Sequence, residues 1–227
     1  MNSIEATKYY ADLNASKVGK RKKPKPPENK YYLTRTEYEE NPPQPKVIIP
    51  FPELRQTFDY DCGCTSDQQY LVKYGYEIRE DNLMKLLGTV STDIEEHGTD
   101  ISAIVKVNEK FGLKMVVKTK MTIKDLHDLI DKDIPIIVLL QAWSEKDKPD
   151  YKISNKDGHY VTAIGYNDDY IFFEDPSSFV RTYRSNTELL DSWHDVSDDG
   201  KGKVEQLGIY CPDGKPVFQP NQFIHMD

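Results

Sequence analysis

The 227-residue sequence predicts an α+β fold in which a helical layer faces an antiparallel sheet. Two observations carry this. Helical patterns dominate from Cys64 to Asp133, and β-branched and aromatic runs dominate from Pro135 to Cys211. A third is a hairpin signal, Asn167-Asp168-Asp169, set between two apolar runs.

In chain order, residues 1–46 are expected to be a basic, Pro-rich arm and partly disordered. GKRKKPKPPENK and NPPQPK lack backbone donors at their prolines and favour extended conformations. Tyrosines in KYYADL and NKYYLT are candidates to tack it down. From Val47 the pattern turns globular, with VIIPFPELRQ as an extended lead-in. CTSDQQYLVKYG (64–75) reads as a helix that starts near Cys64 or Thr65 and ends at Gly75, with Leu71 and Tyr74 on one face. EDNLMKLLG (80–88) is a short amphipathic helix stopped by Gly88. Thr99 is a candidate cap for a helix over 99–112, with Ile101, Ile104, Val105 and Asn108 on one face and Gly112 ending it. LKMVVKT (113–119) alternates like a strand, and TIKDLHDLIDKD (122–133) is a capped helix burying Ile123, Leu126 and Ile130.

The second half supplies strands at PIIVLLQAW (135–143), YVTAIGYN (160–167) and YIFFED (170–175). A short helix, NTELLDSW (186–193), and a final strand, KVEQLGIYC (203–211), complete a domain of residues 47–212; residues 213–227 read as a tail. DVSDDGKGKVEQ (195–206) faintly matches a calcium loop. Its twelfth position is Gln206 and its eighth is Gly202, which argues for a solvated loop instead.

Charge is uneven. Residues 1–50 hold 10 Lys+Arg against 6 Asp+Glu, which leaves 20 against 32 for the rest. An acidic body does not suit nucleic acid, whose phosphates require clustered positive charge. Three cysteines, Cys62, Cys64 and Cys211, are too few and too ill-spaced for a disulfide framework, so a reducing, cytoplasmic setting is expected. No secretory signal is evident in MNSIEATKYY, and no apolar run approaches the ~20 residues of a membrane helix. Cys211 has no neighbouring Cys or His, so a metal site is not expected, nor is a cofactor.

The chemistry-bearing residues are Gln56, Cys62, His159 and Asp175. A thiol nucleophile needs an imidazole to take its proton, a carboxylate to orient that imidazole, and a donor for the oxyanion. Cys62 precedes a predicted helix start, where partial positive charge favours thiolate, and Gly63 permits a tight turn. Cys64 is a competing nucleophile two residues on, though a place in the first helical turn favours inward packing. His159 opens an apolar run; His97, His127, His194 and His225 lie in less suitable contexts. If 160–167 and 170–175 form a hairpin, Asp175 returns towards His159, while Glu174 points to the opposite face. Gln56 offers a non-titrating amide donor. Each residue alone also has an ordinary structural explanation, and the combination is what points to catalysis.

RQTFDYDCGCTSDQQYLVKYG, DGHYVTAIGY and FFEDPSS together resemble the papain-like peptidases related to bacteriocin-processing (double-glycine leader) peptidase domains, over roughly residues 47–212. GTDISAIVKVNEKFGL, IPIIVLLQAW and LLDSWHDV…LGIY add likeness to small stand-alone members. The resemblance implies a papain-like fold, with the Cys on a central helix and the His and Asp on the sheet. It further implies Cys62 as nucleophile, His159 as general base and then acid, Asp175 as its orienting carboxylate, and Gln56 in the oxyanion hole. Cys64 departs from the small non-thiol residue or proline usual after Cys-Gly.

The resulting expectation is a thiol-dependent, metal-independent hydrolase that cleaves a peptide or amide bond, with a peptide or protein as substrate. Transamidation or deamidation by the same residues is one alternative; a catalytically silent binding module is another. Trp143 and the loop 144–158 are expected to border the cleft, and the basic arm is a candidate to dock a partner or the cleft itself.

Overall fold

In a computed structural model, residues 39–91, 96–143, 151–198, 200–223 and 225–226 are described. The expected arm therefore lies outside the described residues up to position 38, as does 144–150 of the predicted cleft loop. The chain divides into Met1–Pro42 and Pro43–Asp227, and the second unit carries the fold.

The first helix, α1 (Cys62–Lys73), sits in the interior. It begins two residues earlier than its sequence pattern suggests, so Cys62 is its first residue. Burial reaches nearly every side, although the helix is rich in polar residues: Ser66, Asp67, Gln69 and Lys73 are all covered. Each finds a partner, as buried polar groups must. The Ser66 hydroxyl donates to the Tyr160 carbonyl (3.2 Å), and the Gln69 amide donates to the Leu54 carbonyl (2.8 Å). Lys73 Nζ donates to Pro50 O (2.9 Å) and to Asp133 Oδ1 (2.8 Å), and Asn108 Nδ2 donates to Asp67.

Three further helices cover the first half: α2 (Glu80–Leu87), α3 (Ile101–Lys110) and α4 (Ile123–Ile130). The helix α2 ends at Gly88 with φ +75°, a left-handed position glycine adopts without steric cost. At the start of α4, the Thr122 side chain accepts from the Asp125 amide while Asp125 accepts from the Thr122 amide, a reciprocal capping box. Its Leu126 and Ile130 are buried; Ile123 is only partly so.

The sheet is antiparallel throughout. Its path runs through β4 (Val116–Lys118), β11 (Gly208–Tyr210), β5 (Ile136–Gln141), β6 (Gly158–Tyr166), β7 (Tyr170–Glu174) and β8 (Thr182–Ser185), and β1 (Val47–Ile48) pairs with β6 beside this path. All six residues of β5 are buried, as expected of a central strand. A bulge between Ala163 and Gly165 shifts the β6–β7 register, and there β1 crosses so closely that a Cβ on Gly165 would stand 2.8 Å from the Val47 carbonyl oxygen. The turn from β6 to β7 is closed by Asn167, whose Oδ1 accepts from the amides of Asp169 (3.0 Å) and Tyr170 (2.8 Å).

The expected final strand is two strands. Lys203–Glu205 (β10) pairs with β9 (His194–Val196), and β11 joins the main sheet; Gln206, at φ +49°, breaks the run between them. Two more short strands, β2 (Val90–Ser91) and β3 (Glu96–His97), pair with each other. The last helix, α5 (Asn186–Ser192), carries a second capping box, Ser185 with Glu188.

Glu174 is fully buried at the end of β7. Arg55 Nη1 donates to its Oε1 (2.7 Å) and Arg181 Nε to its Oε2 (3.1 Å), which binds the loop before α1 to the sheet. Removing Glu174 takes away charge-assisted bonds from two partly exposed arginines and leaves its own buried site empty. Glu174→Ala should lower unfolding stability by about 3 kcal/mol or more, measured by urea denaturation. A loss within about 0.5 kcal/mol would show that the network carries no structural weight.

Candidate active site

Strand β6 delivers His159 as its second residue. The ring is buried, at 1% relative exposure. The pairing Thr162↔Glu174 runs on to set Val161 across from Asp175, which makes His159 and Asp175 diagonal neighbours on one face. His159 Nε2 and Asp175 Oδ1 lie 2.9 Å apart. Asp175 is further held by the Ser177 amide (2.9 Å) and hydroxyl (2.8 Å) on Oδ1, and by the Thr182 hydroxyl (3.2 Å) on Oδ2. Ser177 and Thr182 escape a sequence reading. The only trace is a Ser two positions after an Asp-Pro, which is an ordinary turn signal.

Charge at the pair follows from these contacts. Burial disfavours the imidazolium, but the hydrogen bond to Asp175 and the nearby Cys62 thiol, with the charge of both, raise His159 to about 9. Burial also disfavours the Asp175 carboxylate; the bonds from His159 and Ser177 prevail and hold it at about 2. At neutral pH the two are an ion pair.

Cys62 is the other neighbour of the imidazole. With Nε2 engaged by Asp175, the ring atom left is Nδ1, which is buried and makes no full hydrogen bond to any group. The Cys62 thiol stands near enough to act on the ring. Cys62 is partly exposed, and its backbone N–H is one of the unpaired amides of a helix start. Behind it, a Cβ on Gly63 would stand 2.6 Å from Thr99 Cβ and 2.9 Å from Tyr160 Cδ2, so only glycine lets α1 lie this close to β6. Cys64, the rival, is fully buried with Sγ 3.9 Å from the Glu80 carbonyl. Burial and the nearby carboxylates of Asp67, Asp61 and Glu80 push its thiol well up, far from a reactive range. Cys211 is also buried, and none of the three is in a disulfide.

Gln56 joins the others through its backbone, whose N–H donates to the Pro176 carbonyl (2.9 Å) directly after Asp175. Its side-chain Nε2 donates to the Phe58 carbonyl (2.7 Å), while Oε1 is buried without a partner. One amide hydrogen therefore remains for a further acceptor. Trp143 completes the wall, its ring centroid 4.7 Å from that of His159. It stays 44% exposed, at the edge of the site. His159 and Asp175 are thus in direct contact, Cys62 acts on the same imidazole, and Gln56 is tied to the corner after Asp175 through its backbone.

Among the described residues no cluster of three or more His, Cys, Asp or Glu side chains suits a metal ion. A separate groove of about 850 Å³ is lined by Ile101, Val105, Val117 and Gly202 and contains none of these four residues. The helix start beside it is already occupied, because Asp198 accepts from the Ile101 and Ser102 amides (3.0 and 3.2 Å).

Comparison with known proteins follows this geometry. The model of the Peptidase_C39 like family matches residues 48–200. Among solved structures, a putative C39-like peptidase from Bacillus anthracis superposes with a TM-score of 0.55 at 16% identity, covering 72% of this chain and 96% of its own. The peptidase domain of Streptococcus ComA, a bifunctional ABC transporter involved in a quorum-sensing pathway, gives a TM-score of 0.49 at 20% identity, covering 70% and 97%. A double glycine motif protease from an AMS/PCAT transporter, solved with its leader peptide, gives 0.49 at 17%, covering 76% and 96%. At these identities the first likeness speaks for the fold alone. No curated protein matches the chain.

The ion pair has a consequence for stability. His159, raised from 6.5 to about 9, stabilises the fold fully below pH 6.5 and loses that contribution as pH rises towards 9. Asp175, lowered from 3.8 to about 2, contributes fully above pH 3.8 and loses it as pH falls towards 2. The difference in melting temperature between the unmodified protein and Asp175→Asn should therefore be greatest between these bounds and shrink on both sides. A difference independent of pH would refute the ion pair.

Proposed function

Because the chain belongs to the Peptidase_C39 like family, we propose that it is a cysteine peptidase that cleaves a peptide or amide bond through Cys62, His159 and Asp175, with Gln56 at the oxyanion. The observation that carries this reading is the imidazole of His159. One of its nitrogens is fixed by Asp175, and the other is left without a full bond beside a partly exposed thiol at a helix start.

The steps follow from these positions. The Cys62 sulfur, as thiolate facing the imidazolium, attacks the substrate carbonyl carbon. Negative charge moves to the carbonyl oxygen, which in this reading accepts from the Cys62 backbone N–H and the second Nε2 hydrogen of Gln56. The His159 imidazolium gives its proton to the departing amine as the C–N bond breaks, leaving a thioester on Cys62. Water, losing a proton to the now neutral His159, attacks the thioester; the acid leaves and the thiolate–imidazolium pair returns. Asp175 keeps the ring in one orientation throughout, and Trp143 shields its edge from solvent.

A peptide is the substrate class this reading implies. Three unbonded cysteines suit a reducing compartment, so the reading places the protein in the cytoplasm. No helix among the described residues is long and apolar enough to cross a membrane.

Native protein treated with iodoacetamide should be modified at Cys62 and spared at Cys64 and Cys211, as mapped by peptide mass spectrometry. Cys62→Ala should reduce turnover of a peptide or ester substrate by at least roughly 10³-fold and Cys64→Ala by less than about tenfold. Turnover should fall as pH rises through about 9, where His159 loses the proton it must donate. Labelling at Cys64 in place of Cys62, or full activity in Cys62→Ala, would overturn the assignment.

A further inference from the structure

Between Gln56 and Cys62 the chain makes a tight loop, and two acidic side chains hold it. Asp61 is fully buried at the position just before α1, but its side chain does not cap the helix. It turns back, and its Oδ1 accepts from the Phe58 amide (3.2 Å). Glu80, the first residue of α2, reaches across from the other side. Its Oε1 accepts from the Thr57 amide (3.3 Å) and the Thr65 hydroxyl (3.0 Å), and its Oε2 accepts from the Thr57 hydroxyl. Asp61 Oδ2 is buried and meets no N–H or O–H donor. The Glu80 carboxyl acts on the Asp61 carboxyl by its charge and by hydrogen bonding, and the two acids hold adjacent residues of one turn, Thr57 and Phe58.

Phe58 links this grip to the site. Its N–H is held by Asp61, and its carbonyl holds Gln56 Nε2. Since Gln56 Oε1 has no partner, the Phe58 carbonyl is the one bond that orients the side-chain amide. Building on the hydrolase reading above, we propose that Asp61 keeps a proton, donates it in a hydrogen bond to Glu80, and acts with Glu80 as a pair of positioning residues, fixing the Phe58 peptide so that Gln56 presents its second amide hydrogen to the oxyanion.

Two carboxylates in this contact repel when both are ionised; with one proton between them, the protonated acid donates to its neighbour. Burial, with the charge of Glu80, raises Asp61 to about 7. Glu80 faces it from α2, and the Thr57 and Phe58 amides from its own loop. On α1, Cys62, Cys64 and Asp67 share the neighbourhood and bring no positive charge. Among the described residues no Lys or Arg forms an ion pair with either acid; Arg79, beside Glu80 in sequence, pairs with Asp81 instead. The Asp61 proton is therefore held below neutrality and released as pH rises through it, which loosens the loop and the amide that depends on it.

The test follows the loop directly. Hydrogen exchange at the Thr57 and Phe58 amides, expressed as protection factors, should fall at least tenfold between pH 6 and pH 8 in the unmodified protein. In Asp61→Asn, the amide group keeps an acceptor for Phe58 and a permanent donor for Glu80, so this fall should vanish. With p-nitrophenyl acetate, whose reaction requires an oxyanion donor and whose leaving group departs without a proton, the unmodified protein should lose acylation rate in a step near neutrality. Asp61→Asn should lack that step. Asp61→Ala should acylate roughly tenfold more slowly than it alkylates with iodoacetamide, relative to the unmodified protein, because alkylation forms no oxyanion. Equal protection at both pH values, or the same fall in Asp61→Asn, would overturn the proposal. Absence of acylation at every pH in the unmodified protein would count against the hydrolase reading, while the exchange data would still decide whether the two acids hold the loop.

Discussion

The hydrogen-bonded pairing of β6 with β7 is the constraint on which the site depends, because it brings an imidazole and a carboxylate sixteen residues apart into contact. The Asn167 turn sets the register at one end, and the bulge at Ala163 and Gly165 adjusts it in the middle. At the far end, three consecutive residues take hold of three different parts. Glu174 binds Arg55 from one direction, Asp175 binds His159 from the other, and the Pro176 carbonyl receives the Gln56 amide. Strand alternation is what allows adjacent carboxylates to act on opposite sides. A one-residue slip would exchange their faces and separate both the imidazole and the Gln56 loop from their anchors.

The helix that carries Cys62 is held to this hairpin by polar as much as apolar contact. Covering Asp67, Gln69 and Lys73 is costly unless they are bonded; each makes at least one bond, while Asp67 Oδ2 and Gln69 Oε1 are left without a partner. What the arrangement gains is direction. An apolar helix can slide in its groove, whereas these bonds specify the positions of Leu54, Pro50, Asn108 and the Tyr160 carbonyl relative to Cys62. Gly63 sets the closeness of approach and the side-chain bonds set the register.

This explains which parts were legible beforehand. The β6–β7 hairpin could be read because turn chemistry and apolar alternation are local signals, and the placement of Asp175 near His159 followed from them. The helix α1 was legible as a helix, yet its burial on nearly all sides was not, since a polar sequence reads as an exposed face unless its partners are known. Its start lies two residues before the expected one, directly after Asp61, which holds the cap position although its side chain turns towards Phe58 instead of capping. The split of 203–211 turned on the left-handed Gln206, a residue type that announces no break. Asp61, Glu80, Ser177 and Thr182 stayed hidden because their roles arise from contacts across the fold.

Two aspartates near Cys62 show how environment assigns opposite states to one side chain. Asp175 accepts from the imidazole, a backbone amide and two hydroxyls, and every one of those donors favours its charge. Asp61 accepts from one backbone amide and faces a second acid, which favours its proton. The first is therefore suited to stabilise an imidazolium, and the second to donate a hydrogen bond that a carboxylate could not make. Exchanging these environments would remove the charge partner of His159 and set two repelling carboxylates beside the oxyanion loop. The division of labour thus rests on the number and kind of donors around each carboxyl, and those are fixed by the sheet corner for Asp175 and by the approach of α2 to α1 for Asp61.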